Sequence, residues 1–333
     1  MFEKRLKEIS SKLGENKKEY FILTHKQHNR EIYFQNNSKA IKFIKIKFDS
    51  SLRKFKKIKN IVYLLIRFQI LQPFLKKINL SQNLGDVIFL GEQIKCFDLN
   101  KKTVISVPLK EKGVGDFLKY KKFQKKIAEK GFSPKIIELN DKIPYSKEEL
   151  LNVFQNKDYR EIFKRLLNFY QKEGIKKISI EAHIKKLLKR AKLKKIDDEK
   201  INLILKKLHK NKTKLLITNI HGDFAKEQIL IKNNNLLFID WKPKKDLIIS
   251  DLMNFFSNEE KSKKIELLKN ENFFQLLKLY PSSVKENLQL YIILDDISSI
   301  IEETGNCDLS KERIKKLKPI FFSGKAPSNR KTD

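Results

Sequence analysis

Hydrophobic and polar positions divide the chain into an N-terminal part with strand patterns and a C-terminal part with helical patterns. From Tyr20 to Phe48 short apolar runs are separated by polar residues, and the last run, AIKFIKIKF, alternates Ile and Phe with Lys as an amphipathic strand does. Residues 84–108 predict three more strands, and Val114 to Lys130, closed by Gly131, predicts a helix. From Asn152 onward Leu and Ile recur at helical spacing, which predicts a mainly helical region.

Two carboxylates bracket a predicted β-hairpin in the helical half. The apolar runs 229–231 and 236–239 flank an Asn-rich turn, which is the pattern of a hairpin. Asp223 precedes this hairpin and Asp240 follows it directly, so both carboxylates are expected at one end of it. Two carboxylates placed together in this way suit divalent-metal binding and activation of a hydroxyl group.

Three sequence elements follow one another between residues 221 and 256, namely HGDFAKEQIL, FIDW and DLMNF. In this order they resemble the catalytic core of the aminoglycoside phosphotransferase and choline kinase superfamily. The resemblance implies an α+β, two-lobed protein-kinase-like fold with a small β-rich N-lobe, a mainly helical C-lobe and, here, an extra N-terminal strand-containing segment. It also implies a kinase that uses ATP or GTP with Mg²⁺. The expected acceptor is a hydroxyl of a small molecule, such as a sugar, an amino-sugar, a choline-like alcohol or a glycan precursor.

Position by position, the resemblance assigns a role to each polar residue of these elements. It implies that Asp223 is the catalytic base and that His221 holds the catalytic loop by hydrogen bonds. Asp240 is expected to bind magnesium, with Gln228 as the second metal ligand. Asp251 is expected to be the structural carboxylate that braces the loop.

The chain departs from the superfamily pattern at two places in this region. Gln228 stands where the superfamily has Asn, so the same amide oxygen is carried on a longer arm. Lys-Pro-Lys-Lys occupies 242–245, where the superfamily usually has Gly, Asp and Pro.

The resemblance continues more loosely into residues 84–151, whose order of three strands, a helix and a further strand is that of a nucleotide-binding lobe. PYSKEELLN would be the hinge against the adenine ring. The backbone positions expected to contact adenine are Glu148, Glu149, Leu150 and Leu151.

A phosphate-binding lysine is missing from its expected place in this lobe. The third strand, VISVPL, has Ser106 there, and the helix lacks the partner Glu. Lys110, just past the strand, or Lys42, in the preceding module, could take its place, and the sequence leaves both open. No glycine-rich phosphate loop is visible.

Length and composition agree with a folded protein of more than one part. At 333 residues with 40% hydrophobic content, the chain is long enough for two sizeable cores. The predicted domains are an N-terminal α/β extension (1–80), a nucleotide-binding small lobe (81–151), a helical catalytic lobe (152–322) and a disordered tail (323–333).

Two further classes of function stay open, and the net charge bears on one of them. The formal net charge of +33 is typical of proteins that bind nucleic acid, anionic lipid or anionic glycans. The Lys residues are spread along the whole chain, which equally fits a Lys-rich codon bias, and no nucleic-acid-binding motif appears. A basic nucleic-acid-binding protein is therefore the weaker alternative, whereas Gln228 and the missing Lys favour a kinase-like pseudoenzyme as the first alternative. If many of the Lys residues lie near the cleft expected between the two lobes, their positive charge would favour an anionic acceptor.

Cysteine content and the N-terminal segment predict a cytoplasmic protein. Cys96 and Cys307 are far apart, which fits a reducing compartment and excludes a Cys-based zinc site. The first twenty residues lack the apolar core of a signal peptide. The stretch 61–75 is too short and too polar to span a bilayer, although a contact of an amphipathic element with a membrane surface stays open.

Overall fold

The computed structural model describes much of the chain as regular structure. The described residues are 7, 11, 18–25, 30–48, 75–80, 83–91, 93–154, 159–193, 199–208, 211–260 and 270–302. The chain forms two compact units, the first made of Met1–Phe154 with Ile229–Trp241 and the second of Gln155–Gln228 with Lys242–Asp333. In the described residues the first unit is β-rich and the second mainly helical, so the predicted α+β class is confirmed.

Strands and helices follow one another in a mixed order. In chain order they are β1 (Lys18–His25), β2 (Arg30–Phe34), α1 (Ser38–Phe48), β3 (Lys77–Leu80), β4 (Val87–Leu90), β5 (Gln93–Asp98), β6 (Thr103–Pro108), α2 (Val114–Glu129), β7 (Ile136–Asn140), β8 (Tyr145–Glu149), β9 (Asn152–Val153), α3 (Tyr159–Glu173), β10 (Lys176–Ser179), α4 (Ile180–Leu193), α5 (Glu199–Leu208), β11 (Lys214–Ile220), β12 (Ile229–Lys232), β13 (Asn235–Phe238), β14 (Lys244–Leu247), α6 (Ser250–Glu260), α7 (Glu271–Leu277), α8 (Ser282–Glu286) and α9 (Leu288–Glu302).

An antiparallel sheet forms the first unit, with the strand order β3-β1-β2-β4-β5-β6-β8-β7. Strands from the predicted N-terminal extension therefore continue the sheet of the predicted small lobe, through the pairing of β2 with β4. Alternate residues of β1, β2, β4 and β5 enter two separate apolar clusters, as the two-residue period of a strand requires. The finer domain boundaries stay predictions.

The run AIKFIKIKF is a helix and not the predicted strand. Asn37 caps it, because its Oδ1 accepts a hydrogen bond from the backbone N–H of Ala40 at 2.7 Å. Ala40, Ile41 and Ile44 then lie on one face of α1 and pack into the cluster that contains Phe34. Apolar residues in this run satisfy both a two-residue and a helical period, and the N-cap together with the sheet face beneath decides for the helix.

The predicted helix and hairpin of the first unit are both confirmed. Helix α2 ends at Glu129, shortly before Gly131, whose φ of 77° is left-handed. Strands β12 and β13 pair across Asn233 and Asn234, whose φ values of 49° and 60° are those of a tight turn between antiparallel strands. Strand β9 extends this hairpin by pairing with β12.

In the second unit, a small sheet with the order β10-β11-β14 lies among helices. Aromatic residues of α3, the loop after β11 and α6 meet edge to face, with Phe163 5.9 Å from Phe224 and 5.3 Å from Phe255 between ring centroids. This packing places the end of β11 against the helical core.

Some predictions fall on residues that the structure does not describe. The predicted disordered tail, 323–333, and Cys307 lie outside the described residues. Among the helices that are described, none is long and apolar enough to cross a membrane.

Candidate functional site

The loop that follows β11 contains the predicted catalytic base and belongs to the second unit. Its backbone is fixed by Asp251, which is fully buried on α6. The Asp251 carboxylate accepts hydrogen bonds from the backbone N–H of His221 at 2.6 Å and of Gly222 at 3.0 Å. Tyr170 donates its hydroxyl proton to the same carboxylate at 2.6 Å. Charge-assisted bonds of this kind hold a loop firmly, because a buried carboxylate needs all of its donors.

His221 contributes its backbone and its packing to this loop. Its ring is fully buried and lies 5.2 Å from the ring of Phe224 between centroids. Its carbonyl oxygen accepts a hydrogen bond from the backbone N–H of Lys242 at 3.0 Å.

Gly222 has no room for a side chain. Its φ is +89°, which L-residues rarely adopt, and a Cβ built there would overlap the carbonyl oxygen of Lys242. The loop and the segment at Lys242 therefore lie in direct backbone contact.

Asp223, the predicted base, forms an ion pair with Lys242. The Nζ of Lys242 lies 2.9 Å from the Asp223 carboxylate, and the two side chains are 40% and 45% exposed. The carboxylate is thus accessible from solvent.

Gln228, the predicted second metal ligand, lies at the end of a 3₁₀ turn, Lys226–Gln228. Its Oε1 accepts a hydrogen bond from the backbone N–H of Ala225 at 3.0 Å. An amide oxygen has a second lone pair, so this bond leaves room for one more partner.

Asp240, the predicted magnesium ligand, belongs to the first unit and follows β13. Its φ of 59° is left-handed, which is uncommon for a residue other than glycine. Lys95 on β5 donates to both oxygens of the Asp240 carboxylate, at 2.8 and 2.7 Å. Asp and Asn adopt the left-handed conformation more readily than other residues with a side chain, as Asn233 and Asn234 also do in their turn.

Lys95 is the residue that sequence reasoning missed. It lies directly opposite Ser106 in the register of β5 with β6, and Ser106 is where the superfamily lysine was expected. Opposite residues in an antiparallel pair have Cβ atoms only about 5 Å apart. Lys95 therefore brings an ammonium group to the neighbourhood of the expected position from the adjacent strand.

A buried ion pair joins α2 to β8 in the same unit. Lys121 and Glu148 are 3% and 6% exposed, and the Lys121 ammonium contacts the Glu148 carboxylate. Gln124 donates to the other carboxylate oxygen at 2.6 Å. Burial raises the pKa of Glu148, but the charge of Lys121, with a smaller contribution from Lys95, lowers it below its usual value. The helix thus contributes the cation and the strand contributes the anion of this pair.

The other three residues predicted to contact adenine lie at the end of β8 and just after it. Glu149 and Leu150 donate their backbone N–H groups to the carbonyl oxygens of Lys135 and Lys102, at 3.4 and 2.8 Å. Leu151 lies just after β8 and is partly exposed. Because the N–H groups of Glu149 and Leu150 are already hydrogen-bonded within the protein, these two groups are not available to adenine in this structure.

The two lysines considered as substitutes lie on exposed surfaces. Lys110 precedes a 3₁₀ turn, Glu111–Gly113, and is exposed. Lys42 is exposed on α1, because the run that contains it is a helix. Lys95 is the better placed of the three, since it contacts the predicted metal ligand.

Magnesium binding requires hard oxygen ligands and is usually completed by phosphates and water. The Asp240 carboxylate fits this requirement, because it is partly exposed and already attracts the cationic ammonium of Lys95. Within the described residues, no group of three or more His, Cys, Asp or Glu side chains could hold a metal ion by itself. A magnesium ion bound at Asp240 would therefore need further oxygen ligands, such as phosphates or water.

A second charged cluster lies in the helical unit, around the fully buried Asp246 on β14. Lys244 and Arg190 place their nitrogens 3.5 and 3.7 Å from its carboxylate, and Ser298 donates its hydroxyl proton at 3.4 Å. Burial raises the pKa of Asp246, but the charge of Lys244 and then of its other neighbours lowers it below the usual range.

His183 on α4 is 1% exposed beside this cluster. Neither of its ring nitrogens has a hydrogen-bond partner. Burial lowers the pKa of His183 to about 4, so the ring is neutral at pH 7.

No protein-family model matches the sequence, and no curated protein matches it. Solved structures of similar fold include choline kinase LicA from Streptococcus pneumoniae, with 14% identity over 68% of this chain and 91% of that one and a TM-score of 0.46. They also include the gentamicin complex of APH(2")-IIa (13% identity, 67% of this chain and 85% of that one, TM-score 0.40). A third is the amicoumacin kinase hAmiN in complex with AMP-PNP, Ca²⁺ and Ami (10% identity, 70% and 85%, TM-score 0.39).

Proposed function

We propose that the chain is a phosphotransferase that moves the γ-phosphate of ATP or GTP to a hydroxyl group of a small molecule. The observation that supports this most directly is the pairing of Lys95 with Asp240. An ammonium group that can contact phosphate oxygens, next to a carboxylate that can hold a divalent cation, is the charge arrangement that nucleotide triphosphates require.

Asp223 would orient the acceptor. Its carboxylate is accessible and its loop is fixed by Asp251, so it can hold an acceptor hydroxyl by a hydrogen bond and take its proton. The hydroxyl oxygen forms a bond to the γ-phosphorus while the bond from that phosphorus to the bridging oxygen breaks. The electron pair leaves with the nucleoside diphosphate.

Lys95 would bind the nucleotide phosphates by exchanging its contact with Asp240 for phosphate oxygens. Asp240 would hold Mg²⁺, which supplies positive charge that offsets the charge of the phosphates. Gln228, which belongs to the second unit, stays the second metal ligand that the resemblance implies. The buried Glu148 and Lys121 would keep β8 and α2 in place around Lys95.

The acceptor is proposed only as a class, a small hydroxylated molecule. The similar solved structures include a choline kinase, a gentamicin complex and an amicoumacin kinase, so they suggest no single acceptor. The anionic acceptor that the net charge suggests therefore stays a hypothesis, to be tested by the dependence of turnover on salt and on the acceptor's anionic groups.

One observation favours a kinase-like pseudoenzyme as the second candidate. The Oε1 of Gln228, where the superfamily has a metal-binding Asn, accepts a hydrogen bond from Ala225 of its own turn. A chain with a weakened second metal ligand could bind nucleotide without transferring phosphate.

The test compares turnover of ATP and GTP with magnesium in the natural chain, Asp223→Ala and Asp240→Ala. Asp141→Ala is the matched control, because Asp141 also pairs with a lysine but at an exposed surface site. We expect slow nucleotide hydrolysis that both site variants abolish and the control retains. Thermal stabilisation by nucleotide without hydrolysis would support the pseudoenzyme, and no nucleotide binding at all would refute the phosphotransferase.

A further inference from the structure

We propose that Lys242 is a catalytic residue that contacts the phosphoryl group while it moves to the acceptor. This inference rests on the proposed function and adds a residue to it. Lys242 belongs to the Lys-Pro-Lys-Lys segment in which the chain departs from the superfamily pattern.

The position of Lys242 is set by backbone contacts with the catalytic loop. Its N–H donates to the carbonyl oxygen of His221 at 3.0 Å, and its own carbonyl oxygen fills the space beside Gly222. The side chain therefore starts from a fixed point next to Asp223, and its ammonium lies 2.9 Å from that carboxylate.

Stability does not account for this ion pair. Both partners are close to half exposed, and pairs of this kind contribute little to folding because water and salt screen them. The positive charge next to the predicted base therefore calls for a role other than stabilising the fold.

The reaction provides such a use. An acceptor hydroxyl bound to Asp223 lies within about 3 Å of the carboxylate, and the phosphorus that it attacks lies about 3 Å beyond it. The Lys242 side chain can reach the oxygens of that phosphoryl group by rotation about its own bonds. Positive charge placed there in advance stabilises the charge of the transferring group. Lys242 keeps its proton throughout, and the acceptor proton goes to Asp223.

Three variants test this assignment. Lys242→Gln removes the charge, Lys242→Arg keeps it, and Lys245→Gln removes the same charge from an exposed residue of the same segment. Each variant is assayed for ATP hydrolysis with magnesium and for binding of ADP and of ADP with aluminium fluoride, a mimic of the transferring phosphoryl group.

We expect Lys242→Gln to lower kcat by about a hundredfold, the effect typical of losing one group that stabilises transition-state charge. KM for ATP and binding of ADP should be unchanged, while binding of ADP with aluminium fluoride weakens by a similar factor. Lys242→Arg should retain part of the activity, and Lys245→Gln all of it. A residue with a merely structural role would not separate the two ligands in this way.

Other results would overturn the assignment. Unchanged or increased kcat in Lys242→Gln would show that Lys242 only neutralises or blocks Asp223. A rise in acceptor KM alone would show that it recognises an anionic acceptor. If the natural chain hydrolyses ATP and Lys242→Gln does so equally well, only this inference fails. If the natural chain neither hydrolyses ATP nor binds ADP with aluminium fluoride, the proposed function fails with it.

Discussion

Lys95 on β5 and Ser106 on β6 lie directly opposite each other, and the Lys95 ammonium donates hydrogen bonds to both carboxylate oxygens of Asp240. Ser106 is 1% exposed and occupies the position at which the sequence resemblance led us to expect a phosphate-binding lysine. The strand next to the expected position therefore carries a lysine.

This relationship predicts that the lysine can be returned to its expected strand. Lys95→Met should reduce kcat/KM for ATP by about a hundredfold or more, the usual effect of losing a group that stabilises charge on the phosphates. The double variant Lys95→Met/Ser106→Lys should recover part of the loss, because the two Cβ atoms are neighbours across the ladder. Steady-state kinetics of the three proteins measure this.

The control for that series is Lys110→Met, which removes a lysine that is exposed beyond the end of β6. We expect it to retain wild-type kinetics. Equal losses in Lys95→Met and Lys110→Met would contradict the assignment of Lys95.

The buried pair of Lys121 and Glu148 predicts that removing one partner lowers stability strongly and that removing both restores most of it. Lys121→Met leaves a buried carboxylate without its counter-charge, which should cost about 3–5 kcal/mol in the free energy of unfolding. The double variant Lys121→Met/Glu148→Met should recover most of this loss, since no buried charge remains. Denaturant unfolding of the single and double variants gives both values.

Lys122→Met provides the comparison, because Lys122 is adjacent in sequence but pairs with Asp141 at a surface site where both side chains are more than half exposed. Its loss should cost less than about 1 kcal/mol. A cost as large as that of Lys121→Met would argue against burial as the cause.

Gly222→Ala should disrupt the catalytic loop. The added Cβ would overlap the Lys242 carbonyl oxygen in a left-handed backbone, so the loop must shift, at a cost of about 1–3 kcal/mol. Thermal unfolding should show a lower Tm, and nucleotide turnover should fall because Asp223 moves with the loop. Gly115→Ala in α2 is the control, since nothing lies within 4 Å of its Cβ, and it should leave Tm unchanged or slightly raised.

His183 predicts a dependence of stability on pH. Its pKa is lowered to about 4 by burial, so between pH 6.5 and 4 the unfolded chain binds a proton that the folded chain does not. Stability should therefore decrease as the pH falls, by about 2 kcal/mol between pH 7 and 5 from this residue alone. His183→Leu should remove this part of the dependence in denaturant unfolding at the two pH values. An unchanged slope would show that His183 has another partner in solution.

Much of the local structure around the candidate site was predictable from sequence because its signals are local. The loop at Asp223, the hairpin with its Asn turn, and Asp240 after it are set by turn residues and short apolar runs. Even the place of Lys95 was implied, since the turn at Asn100 pairs Asp98 with Thr103, and counting back along both strands gives Lys95 with Ser106. Lys95 was not predicted because the resemblance placed the lysine on the third strand of the lobe and not on the second.

The sequence by itself determined the α+β class, the hairpin and the order of the candidate catalytic residues, because these depend on periodicity and on neighbours along the chain. The tertiary structure decided that AIKFIKIKF is a helix, since the choice between two compatible periods depends on the sheet that it covers. It also decided which charges meet, as Lys121 with Glu148 and Lys242 with Asp223. Such pairs form between residues distant in sequence, and their energies depend on burial, which no local pattern specifies.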